Sequence, residues 1–90
     1  MLNTETFIIT ALPEQGCIGY FPIDTENNEG ERNTLIKHFF IDRIFVEVDN
    51  IIKEFGVKNI ILFGPLSYTE HIAKSLGGFF PGLTIELKGE

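Results

Sequence analysis

Ninety residues hold one hydrophobic core and no second, so the chain reads as a single domain over residues 1–90. An apolar content of 43%, with nine Phe, exceeds that of a disordered chain, while a net charge of −6 with seven Lys and Arg disfavours direct nucleic-acid binding, which rests on basic side chains releasing counterions. One cysteine, Cys17, excludes an internal disulfide; with no signal-peptide pattern in Met1 to Glu5 and no apolar run near the roughly 18 residues of a membrane span, a cytoplasmic protein is expected.

Thr6 to Leu12 and Cys17 to Ile23 are β-branched, apolar runs joined by Pro13-Glu14-Gln15-Gly16, whose Pro and Gly suit a tight turn. They predict a β-hairpin. Pro22 cannot donate to a ladder, so the second strand is expected at a sheet edge and the first inside. Asp24 to Asn33 is polar throughout and reads as a loop. Thr34 to Phe55 then carries neither Gly nor Pro and stops at Gly56, which predicts one long helix. At about 100° per residue, Ile36, Phe40, Ile41, Ile44, Phe45, Val48, Ile51, Ile52 and Phe55 share an arc that should face a sheet.

Lys58 to Phe63 is continuously apolar after its first two residues, the pattern of a strand buried on both faces. Ser67 and Glu70 have capping-box spacing, so a helix is expected from there to about Leu76, with Tyr68, Ile72 and Leu76 inward and Gly77-Gly78 as its stop. Leu83 to Leu87 alternates as a last strand. The expected fold class is α/β, with elements in the order β-β-α-β-α-β building a four-stranded mixed sheet in a two-layer or three-layer domain. Its final strand pair is joined by a right-handed crossover.

Candidate sites follow from this layout. Phe63 to His71 leaves the carboxyl end of an interior strand and enters a helix N-terminus, where open α/β sheets bind ligands and free N–H groups suit an anion. Gly64, Ser67, Thr69 and His71 are the candidate ligand-binding residues. The opposing reading makes Ser67 and Glu70 a simple cap and His71 a solvated residue, since the loop lacks the glycines and Lys of a phosphate-binding loop. Leu35, Phe39 and Val46 form a second apolar stripe on the long helix, away from the core arc, and are the candidate interface residues for self-association. A loop or the hairpin folding over the stripe is the alternative.

No catalytic residue, metal ligand or cofactor is assigned. A nucleophile needs a base in reach, and Cys17, Ser67, Ser75, His38 and His71 are not specified as a pair by their spacing. The acidic loop fails the calcium pattern, with Glu29 at the turn-glycine position and Leu35 at that of the closing Glu.

Lys37-His38-Phe39-Phe40, Ile51-Ile52-Lys53-Glu54-Phe55 and Asn59-Ile60-Ile61-Leu62-Phe63-Gly64-Pro65 together resemble the central domain of the Pelota and release-factor families over about 30 residues. The resemblance implies an abbreviated RNase H-like topology. It does not carry over hydrolytic release, because the Gly-Gly-Gln tripeptide is missing, nor RNase H-type nuclease chemistry, because Thr6 to Leu12 and Asn59 to Phe63 contain no carboxylate. The leading expectation is a small non-catalytic interaction protein, a homo-oligomer with a further protein partner. The competing one is a small-ligand (anion or nucleotide) domain or minimal enzyme using the Gly64 to His71 crevice.

Overall fold

The computed structural model describes residues 4–21 and 36–89. Strand β1 (Thr6–Leu12) alternates along its length, burying Phe7, Ile9 and Ala11 on one face. It turns through Pro13 to Gln15 into β2 (Gly16–Tyr20), with the Gln15 N–H donating to the Leu12 carbonyl at 3.2 Å and Gly16 at φ 88°, a value that favours glycine. The hairpin is antiparallel, with Ala11 opposite Cys17.

The expected long helix is a helix over Ile44–Phe55, while Ile36–Phe39 of its first part is not; Thr34 and Leu35 lie outside the described residues. Ile36–Phe39 forms strand β3, antiparallel to β2, with Phe39 opposite Cys17 and 8% exposed. After a 3-10 turn at Ile41–Arg43, helix α1 runs only from Ile44–Phe55. Ile36, Phe40 and Ile41 satisfy a 100° helical arc, and Ile36 and Phe39, three apart, fall on opposite faces of a strand, so the extended form comes from pairing with β2 and not from local periodicity. Phe40, expected in the core, is 73% exposed. The stop is as expected: Gly56 adopts φ 73°, and its N–H donates to the Ile52 carbonyl at 2.9 Å.

β4 (Asn59–Gly64) lies parallel to β1, followed by helix α2 (Leu66–Phe79) and β5 (Thr84–Gly89), parallel to β4. The sheet therefore has five strands, not four, in the order β3-β2-β1-β4-β5. β2 is not an edge, since β3 pairs with its outer side; it ends at Tyr20, before Pro22. Nor is β4 buried on both faces. Ile60 and Leu62 are fully buried while Phe63 is 38% exposed, because both helices pack on the same side of the sheet.

Phe7, Ile9, Ala11, Cys17, Ile60 and Leu62 meet Ile44, Val48 and Ile51 of α1 and Ile72 and Leu76 of α2 in one core. Among the described residues the sheet and the two helices form two layers. On the other face Ile8, Ile18, Ile61 and Phe63 are half-buried or exposed. Leu83, Ile85 and Leu87 alternate inward as expected, each partly buried against the core.

Candidate functional site

The β4–α2 junction is where the fold makes a crevice. Parallel pairing brings the carboxyl ends of β1, β4 and β5 together, with Thr10 opposite Phe63 and Phe63 opposite Lys88. Here Thr10, Leu12, Phe63, Gly64, Pro65, Leu66, Ser67, Lys88 and Gly89 line an open depression of about 940 Å³.

Gly64 is the pivot of that corner. It has φ 145°, and a Cβ there would collide with the Ala11 carbonyl oxygen, so the residue type lets the chain leave the sheet tight against β1. Pro65 follows as N-cap, and no side chain caps the helix. Ser67 is thus the second helical residue, not the start of a capping box, and its exposed hydroxyl lines the depression. At the start of α2 the Tyr68 and Thr69 N–H groups donate to the Pro65 carbonyl at 3.0 and 2.9 Å, so the N–H groups of Leu66 and Ser67 are the ones without an intrahelical acceptor, and they give this end partial positive charge. Lys88 adds a cation, held 3.3 Å from Glu86.

The four sequence candidates separate. Gly64 and Ser67 line the crevice; Thr69 is fully buried, its hydroxyl donating to the Pro65 carbonyl at 3.2 Å and lying 3.4 Å from that of Leu66. His71 is exposed and lines a separate groove between the helices with Ile44, Phe45, Tyr68 and Ser75. Thr10 and Lys88 were missed by sequence reasoning because only strand register carries them to the junction.

The interface candidates separate as well. Leu35 lies outside the described residues, Phe39 is buried on β3, and Val46 is 48% exposed on α1. Val46 instead belongs to an aromatic surface with Phe45, Asp49, Phe79 and Phe80. Helix α2 runs through Gly77 and Gly78, which were expected to end it, and so carries Phe79 to a ring-edge contact with Phe45 at 4.7 Å between centroids. Phe79 remains 64% exposed.

Burial pushes the Cys17 thiol up to about 11, away from the reactive thiolate. His71 and Ser75 share a groove, yet no hydrogen bond joins them among the described residues. The described residues contain no group of three His, Cys, Asp or Glu placed to hold a metal; the acidic loop 24–33 lies outside them. No helix of the described residues is long and apolar enough to cross a membrane. Comparison with known family models, curated proteins and solved structures finds no match to this chain.

Proposed function

We propose that this is a non-catalytic interaction protein that binds a protein partner through the aromatic surface of its helix layer. The observation that carries this reading is Phe79, 64% exposed at the end of α2 beside Phe45 and the 48% exposed Val46. Large apolar side chains gathered on one surface favour association, because covering them removes apolar area from water. The surface replaces the Leu35, Phe39 and Val46 stripe, whose described members divide into an exposed Val46 and a buried Phe39. The proposed scaffold is RNase H-like, a reading supported by an antiparallel three-strand meander continued by two parallel strands.

The test uses Val46→Glu and Phe79→Ser, which alter exposed side chains. Proteins retained on the immobilised wild-type chain should be lost from both variants, with the far-UV circular dichroism and melting temperature preserved. Retention of the same proteins by folded variants would refute the reading.

The depression beside Ser67 and Lys88 favours a second reading, in which the β4–α2 junction binds a small anionic ligand such as a phosphate or nucleotide. Ser67 would donate its hydroxyl, Lys88 would supply charge, and the helix terminus would orient the group.

A further inference from the structure

We infer that two copies of this chain pair through β5, edge to edge and antiparallel, making one continuous ten-stranded sheet across a two-fold axis. β5 is the outermost strand, and each of its six residues is registered with β4 on its inner side. The outer side presents backbone N–H and C=O groups with no neighbouring strand among the described residues. Proteins usually blunt such an edge with a proline, a bulge, a very short strand or charged side chains, and the charges of β5, Glu86 and Lys88, are of opposite sign, so a second copy can pair with them. β5 has no proline, its register runs unbroken from Thr84 to Gly89, and it is longer than the four-residue β3 at the opposite edge.

Charge selects the occupant and the register. A two-fold axis perpendicular to the sheet keeps both helix layers on one side, and it places opposite each other residues whose side chains share a face. Centred on Leu87, it sets Glu86 against Lys88 of the second copy and Lys88 against Glu86 of the second copy. The same register brings the half-buried Leu87 side chains together on the helix side. Centring on Glu86 would oppose two glutamates, and centring on Lys88 two lysines, each unfavourable across a strand pair. Within one chain Glu86 and Lys88 already lie 3.3 Å apart on the open face, both more than half exposed, so the pair is free to exchange partners. The inference concerns a different surface from the Val46 and Phe79 face and does not depend on it.

Sedimentation equilibrium on the full chain tests it. Wild type should show a monomer–dimer equilibrium, and Glu86→Lys and Lys88→Glu should each weaken it by about tenfold or more through like-charge opposition. An equimolar mixture of the two variants should recover a heterodimer at least as tight as the wild-type dimer. Leu87→Cys should form a disulfide-linked dimer without reductant, since paired Cα atoms about 4.5–5.5 Å apart are within bonding reach. Val46→Glu should leave dimerisation unchanged. A wild-type chain that stays monomeric, a mixture that fails to recover, or a dimer abolished by Val46→Glu but not by the charge variants would overturn the proposal. The last outcome would leave the helix surface as the contact.

Discussion

The Phe7 ring occupies the space that a side chain on Gly19 would fill: a Cβ at Gly19 would lie 2.5 Å from two of its ring carbons. Gly19 sits opposite Ile9 on β2, so the ring leans diagonally across the hairpin. From there it makes an edge contact with Phe21 at 5.0 Å, and Phe21 makes another with Phe55 at the end of α1, also at 5.0 Å. One absent Cβ thus lets the hairpin and the end of α1 share a run of aromatic packing. Gly19→Ala should destabilise the fold by about 1–3 kcal/mol, the usual effect of overpacking a filled core. Gly19→Val should be worse. Urea unfolding midpoints of the two variants check the order.

Gly56 and Gly64 both have positive φ, but their surroundings differ. Nothing lies within 4 Å of a Cβ built on Gly56, whereas one on Gly64 meets the Ala11 carbonyl oxygen and the Thr69 methyl. Gly56→Ala should therefore lose only the left-handed backbone preference, about 1–2 kcal/mol. Gly64→Ala should lose about 3 kcal/mol or more, combining backbone strain with a collision that pushes β1 from the β4–α2 corner. Equal losses in chemical denaturation would show that the corner is loosely packed.

How far the fold was legible follows from which signals are local. The hairpin, the stop at Gly56 and the alternation of β5 each rest on a few adjacent residues, and each is present. Strand β3 was hidden because its apolar residues, Ile36 and Phe39, have helical spacing and only pairing with β2 holds the segment extended. Gly77 and Gly78 resemble a helix stop, yet tertiary packing of Phe79 on Phe45 accompanies continuation through them. Of the crevice, Gly64 and Ser67 were visible from the strand-to-helix pattern. Thr10 and Lys88 were not, because they reach it through the β1–β4 and β4–β5 registers, which no short stretch of sequence encodes.

If the crevice binds an anion, inorganic phosphate should raise the melting temperature, and Ser67→Ala or Lys88→Ala should reduce that rise. Thr69→Ala should behave differently. Its hydroxyl is buried and already bonded to the Pro65 carbonyl, so the variant should melt lower without ligand and keep most of the phosphate-induced increment. A rise that survives both Ser67→Ala and Lys88→Ala would place the anion elsewhere.

Cys17 gives the fold an alkaline limit. Burial raises its thiol from 9.0 to about 11, so between those values the folded chain holds a proton that the unfolded chain releases. Stability therefore falls as pH rises through this window. At about 1.4 kcal/mol per pKa unit the two-unit shift corresponds to a loss on the order of 3 kcal/mol, complete only above the folded value. Tyr68 shifts upward too, through burial and then the neighbouring Cys17 charge, and adds to the same alkaline trend. Cys17→Ala removes the thiol and its influence on Tyr68, so its urea midpoint should decline less between pH 9 and pH 11 than that of wild type. In the native wild type at pH 8 the buried thiol should resist alkylation by iodoacetamide and react only on unfolding. Rapid native labelling, or parallel wild-type and Cys17→Ala stability curves across this range, would show that the thiol is not held protonated in the core.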